Sequence, residues 1–160
     1  MKITGRQPSV LSGAVRAGPP FTKTLAVMSP DERAKLVSAW IEHFTRELVR
    51  DDQNVFRERK GQDNFWAFTQ LDDVCRKQPE LCWELILQIL HTPHHESVET
   101  ALAAGPLEDL LARHGAQFIE RVEERARSDA KFKDVLGGVW QNSTPRELWS
   151  RVEAVRGELW

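Results

Sequence analysis

The sequence predicts a single all-α domain, folded as an irregular antiparallel helical bundle or a short HEAT-like helical arc. Three observations predict it. Helix-start signals recur along the chain, apolar residues between them fall at spacings of three and four, and no apolar–polar alternation of period two marks a strand. With 160 residues, 41% of them apolar, the chain suits one domain. A domain of this size removes roughly 70% of its unfolded surface from water, so it needs neither metal nor disulfide to hold it.

Ser29-Pro30-Asp31-Glu32 forms a capping box with proline at the first helical position, and Thr144-Pro145-Arg146-Glu147 repeats it. Thr92-Pro93 places a capping hydroxyl before another such proline, and Gln78-Pro79 and Gly105-Pro106 are weaker starts of the same kind. The first helix spans 30–49, with Leu36, Val37, Trp40, Ile41, Phe44 and Leu48 on one stripe. Polar residues from Asp51 to Gln62 then read as a loop, and a second helix follows near 63–77. The segment 79–91 is apolar nearly all round, leaving only Glu80, Glu84 and Gln88 as a polar stripe, and is predicted to be the central helix. Shorter helices follow at about 94–104, 106–113 and 116–127, with Gly105 and Gly115 at left-handed C-terminal positions. Segments 129–140 and 145–156 complete the set, and no fixed-period repeat establishes a solenoid.

Residues 1–27 differ from the rest. They hold Lys2, Arg6, Arg16 and Lys23 with no acid, together with several Gly and Pro, and predict a flexible basic tail: an unselected extension ahead of an alternative start at Met28, or a contact for an anionic partner. Residues 28–160, the predicted domain, then hold 18 basic against 24 acidic residues, a formal charge of −6. Basic and acidic residues interleave, so the footprint of nucleic-acid binding is missing. No signal-peptide core and no run near 20 apolar residues is present, which predicts a cytoplasmic protein that makes no membrane contact. Cys75 and Cys82 lack Cys-x-x-Cys spacing and read as reduced and buried.

From Ala103-Ala104-Gly105-Pro106-Leu107-Glu108-Asp109-Leu110-Leu111, the chain runs on through His114-Gly115, Phe118-Ile119, Val122-Glu123 and Leu136-Gly137-Gly138-Val139-Trp140-Gln141-Asn142. Over roughly residues 63–156 it resembles an uncharacterised family of small bacterial helical proteins, described only as a domain of unknown function. Met28-Ser29-Pro30 and Trp40-Ile41 also resemble the way such proteins begin, whereas the 27 residues before them depart from the pattern. The resemblance implies a bacterial source and an all-helical domain, and carries no activity or catalytic residue with it.

Two polar clusters could carry chemistry. His91, His94 and His95, with Glu96 and Glu99, are residue types that ligate zinc or iron. Pro93 interrupts the helix between His91 and His95, which removes the i, i+4 geometry of a metal helix and favours a solvated helix start over a metal-dependent enzyme. Glu80 and Glu84 lie one turn apart on the sole polar stripe of the central helix and suit a solvated edge or a partner-facing surface. Gly137-Gly138 suits close backbone approach at a helix end, with Trp140, Gln141 and Asn142 as a possible binding loop. Trp40, Trp66, Trp83, Trp140 and Trp149 sit in apolar stripes and read as core; Trp160 is either exposed or folded back as an anchor. Without a nucleophile elbow, phosphate loop or dinucleotide fingerprint, the expected function is a non-catalytic protein-binding module without cofactor or metal, as an adaptor or a toxin-neutralising immunity protein. The partner-facing candidates are Glu80, Glu84, Trp140, Gln141 and Asn142.

Overall fold

The structure, a computed structural model, describes residues 28–50, 56–60 and 64–160, with backbone alone for 46–50 and 56–60. The basic tail expected at 1–27, and the parts of the expected loop at 51–55 and 61–62, lie outside the described residues. The fold is an all-α bundle: α1 Pro30–Phe44, α2 Phe65–Lys77, α3 Pro79–His91, α4 Glu96–Leu102, α5 Glu108–Ser128, α6 Ala130–Gly137 and α7 Arg146–Val155.

The capping box at α1 is complete, for Ser29 Oγ accepts from the Glu32 amide and the Glu32 carboxylate accepts from the Ser29 amide. That helix ends earlier than 49. The Thr45 amide and hydroxyl both donate to the Ile41 carbonyl at 2.9 and 2.8 Å, and Thr45 itself is extended. Beyond it, β1 (Arg46–Arg50) pairs antiparallel with β2 (Phe56–Lys60), Arg46 opposite Lys60 and Arg50 opposite Phe56. Leu48 is therefore on a strand, and most of what reads as loop or helix end in the sequence is a two-stranded ribbon. Charged residues fill both segments, which hides the pairing from any search for an apolar–polar alternation.

α3 is the central helix, as predicted. Leu85, Ile86, Ile89 and Leu90 are at most 1% exposed, and the helix packs against α1, α2, α4, α5 and α6. Trp83 sets its ring 5.9 Å from Phe118 on α5 and 5.5 Å from Phe132 on α6. Burying side chains of this size stabilises by roughly 1.5–3 kcal/mol each, so this helix anchors the bundle.

The two cysteines are buried but not reduced: Cys75 and Cys82 form a disulfide across the α2–α3 turn, with Cα atoms 4.8 Å apart. Gln78 and Pro79 reverse the chain there, so two helices meet tail to head and bring together residues seven apart in sequence. Neither Gly105 nor Gly115 ends a helix. The chain stays helical from Glu96 to Ser128, passing through a π turn at Ala103–Leu107. Pro106 has no amide to donate to Leu102, and the wider turn absorbs that loss, with the Glu108 amide bonding the Ala103 carbonyl. Gly115 is buried within α5, where a β-carbon would stand 3.2 Å from Leu148 of α7. Pro93 and Pro106 thus open no helix, and α4 begins only at Glu96. At α7 the capping box is absent. Pro145 occupies the cap position, and the Thr144 hydroxyl turns inward, 3% exposed and without a hydrogen-bond partner.

α6 ends at Gly137, as the glycine pair suggests, and residues 157–160 make the close approach. A β-carbon on Gly137 would overlap the Glu158 carbonyl, Trp160 lies over Gly138, and the Gly157 amide donates to the Lys133 carbonyl at 2.8 Å. Trp160 is folded back and half exposed.

Candidate functional site

The π turn has a consequence at the surface. Trp40 of α1, Phe68 and Leu71 of α2, and Gly105 and Pro106 of the turn line a cavity of about 190 Å³, with Asp72 and Asp109 contributing carboxylates. Trp40 is 1% exposed and its indole N–H has no hydrogen-bond partner. An unpaired buried donor of this kind costs about 1–3 kcal/mol. The two aspartates are partly exposed and form the mouth; Asp72 pairs with Arg76 at 2.7 Å and Asp109 with Arg113 at 3.5 Å, each through one oxygen. Gly105 has an ordinary negative φ, and a β-carbon there would meet nothing within 4 Å. Glycine in a helix costs about 1 kcal/mol relative to alanine, and neither backbone conformation nor crowding explains it here.

Beside the cavity α2 presents an aromatic face. Phe65, Trp66 and Phe68 are 57%, 40% and 40% exposed, although large apolar side chains usually turn inward. The face runs into the core through Phe44, whose ring lies 6.2 Å from Phe68 and 4.5 Å from Trp40. Asn64 holds its edge, donating to Glu42 at 2.9 Å and accepting from the Trp66 indole at 3.3 Å.

Glu108 and Asp109 are consecutive and serve different structures. Asp109 borders the cavity, whereas Glu108 accepts from the Trp140 amide at 3.3 Å and the Asn142 side chain at 2.8 Å. The loop so pinned leaves Trp140 73% exposed, so that it, like Trp66, is not the core residue its apolar stripe predicts; it also puts Asn142 at φ 44° in the left-handed region and lets Gln141 donate to the Thr144 carbonyl. Trp140, Gln141 and Asn142 therefore sit together.

Glu80 and Glu84 lie apart from that loop, as exposed struts between helices. Glu80 accepts from Arg121 at 2.6 Å and Gln117 at 3.2 Å on α5, and Glu84 pairs with Arg33 on α1. The histidines do not converge. His91 bonds Asp129 at 2.8 Å; His94 is held by the Thr92 carbonyl at 2.5 Å and Glu99 at 3.2 Å; His95 caps α4, accepting from the Ser97 amide at 3.2 Å. His114 donates to the Cys75 carbonyl at 3.1 Å. Among the described residues no three His, Cys, Asp or Glu side chains gather as metal ligands would.

Asp129 is a partly buried acid whose surroundings act in opposite directions. Burial pushes its carboxyl up, but hydrogen bonds from the Phe132 amide and His91, with Arg125 nearby, hold it below the usual aspartate range. It caps α6 through the Lys131 and Phe132 amides. Glu123 is lowered by its hydrogen bonds from Arg151, a two-pronged contact at 2.7 and 3.0 Å that ties α5 to α7.

Sequence reasoning missed the cavity because Trp40, Phe68 and Leu71 look like core and Gly105-Pro106 like a break. The signal present was the run Ala103–Leu111, which builds one wall of the cavity and, through Glu108, fixes the Trp140 loop. No helix among the described residues is long and apolar enough to cross a membrane. No curated protein and no solved structure matches the chain. Residues 54–159 match the model described as "Family of unknown function (DUF6869)", and with two thirds of its length so matched the chain belongs to that family.

Proposed function

We propose that the protein is a non-catalytic binding module for another protein, an adaptor or a toxin-neutralising immunity protein, acting in the bacterial cytoplasm without cofactor, nucleic acid or membrane. The observation that carries the reading is the exposed aromatic trio Phe65, Trp66 and Phe68. Aromatic side chains are enriched at the centres of protein interfaces, where their area is gained at little cost in conformational freedom. Arg33, Arg121 and Gln117 already engage Glu84 and Glu80, so those carboxylates fit the rim of an interface better than its centre. The acidic balance of residues 28–160 favours a basic partner. A disulfide is uncommon in a reducing compartment, and the burial of both cysteines is what would shelter this one there.

Photo-crosslinking tests the proposal. A benzophenone amino acid placed at Phe65 is expected to give one discrete heavier species in cells of the source organism, and the same group at exposed Ser150 on α7 none. Equal labelling from both positions, or none from Phe65, would overturn it.

A further inference from the structure

We infer that the Cys75–Cys82 disulfide is a redox-sensitive latch on α2, which keeps that helix seated on the bundle while closed and lets it lift once a dithiol has opened it. The bond joins two unequal helices. α3 is held by seven buried residues, Trp83, Leu85 and Ile86 among them, whereas α2 buries only Ala67, Leu71, Val74 and Cys75. One of those four is an alanine, and one is half of the latch. The start of α2 has no side-chain cap, and Phe65, Trp66 and Phe68 turn much of their area to solvent. Its polar ties to other helices include an exposed bond from Asn64 to Glu42 and one from His114 to the Cys75 carbonyl at 3.1 Å. Segments with few buried apolar contacts open locally before the core does. Closing the short loop between residues 75 and 82 takes freedom from the opened state, so the covalent bond supplies restraint that packing does not.

The chemistry is thiol–disulfide exchange. A thiolate of the reductant attacks one sulfur, the Cys75–Cys82 bond breaks and a mixed disulfide forms; the reductant's second thiolate then displaces the protein. Two electrons and two protons pass to Cys75 and Cys82, and the reductant leaves as its own disulfide. Both cysteines are 0% exposed, so the attacking thiolate reaches them only when α2 has lifted. Opening therefore sets the rate of reduction, and reduction in turn makes opening easier. For the partner-binding reading, on which this consequence alone rests, reduction frees the helix that carries the aromatic face.

Amide hydrogen exchange of the full chain tests the latch, with dithiothreitol as the dithiol and the thiols formed counted by alkylation. Reduction is expected to speed exchange of the α2 amides by about tenfold to a hundredfold, the effect of releasing a loop of this length, and to leave α5 largely unchanged. This arm needs no substitution. Leu71→Ala, which loosens α2, is expected to speed reduction by about tenfold, and Leu136→Ala, the same truncation on α6, to change it little. Cys75→Ala combined with Cys82→Ala is expected to exchange like the reduced parent and to ignore dithiothreitol. Exchange of α2 that reduction leaves unchanged, a rise shared equally by every helix, or reduction quickened as much by Leu136→Ala as by Leu71→Ala would overturn the proposal. None of these measurements involves a partner, so their failure would leave a cross-link at Phe65 standing, and a missing cross-link would leave the latch standing.

Discussion

Gly105 and Gly137 are the same residue in opposite surroundings. At Gly137 the chain is in full contact, and a β-carbon would collide with the backbone carbonyl of Glu158. At Gly105 it would meet open space. Neither has a positive φ, so the usual conformational argument for glycine applies to neither. The comparison teaches that a glycine inside a helical segment can mark a place where another part of the chain arrives, or a place where nothing has arrived. The α6 end of the molecule is closed by such contacts, from the Asp129 cap at its start to residues 157–160 at its finish, while the π-turn end is held open.

Substitution of Gly137 is the most direct way to break the comparison. Gly137→Ala is expected to destabilise by about 1–3 kcal/mol, because backbone rather than a flexible side chain must move aside. Denaturant titration measures it, and a loss below half a kcal/mol would mean that residues 157–160 shift without consequence.

Acid sharpens the same contrast at the other end of α6. The Asp129 carboxyl is held below its ordinary value in the folded protein, so its contribution is complete above the ordinary aspartate pKa, near 4, and is lost as pH falls through the folded value. Asp129→Asn keeps an acceptor for the helix cap but loses the charge facing His91 and Arg125. The parent is therefore expected to lose more melting temperature than the variant between pH 7 and pH 3. Parallel losses would show that the pairing contributes nothing.

Gly105→Ala has the smallest expected effect and the opposite sign. With room for the methyl group and a compatible backbone, it is expected to stabilise by about 0.5–1 kcal/mol through a less mobile unfolded chain. A loss in thermal unfolding would show that the volume beside it is not free.

What the sequence made legible follows from how local the responsible interactions are. The Ser29 capping box, the N1 proline Pro79 and the apolar surround of α3 depend on neighbours within a turn or two, and all were readable. The breaks assigned to Gly105 and Gly115 were not, because Gly115 answers to Leu148 on a distant helix and Gly105 to an empty volume. The Thr144 motif repeats the Ser29 pattern, yet its hydroxyl is drawn into the interior, so tertiary burial overrides the cap. The disulfide was hidden for a related reason: spacing rules treat the chain as continuous, whereas the Pro79 reversal places Cys75 against Cys82. Of the residues that the sequence suggests could face a partner, the grouping of Trp140 with Asn142 is visible, but Glu108, which fixes both, lies more than thirty positions away.

The π turn also sets an angular phase. Each residue advances an α-helix by about 100°, and a π turn accommodates one residue more than an α turn. Removing one residue between 103 and 107 would let regular helix run through from Glu96 with α4 and α5 in phase, whereas winding residues 103–107 as regular α-helix with none removed would rotate all of α5 by about that angle relative to α4. Leu110, Leu111, Phe118 and Val122, now buried, would swing out of the core, and Glu108 would turn away from the Trp140 loop. A segment that resembles a tolerant linker in composition is thus the index mark between α4 and α5, where a change of winding has the reach of a frame error.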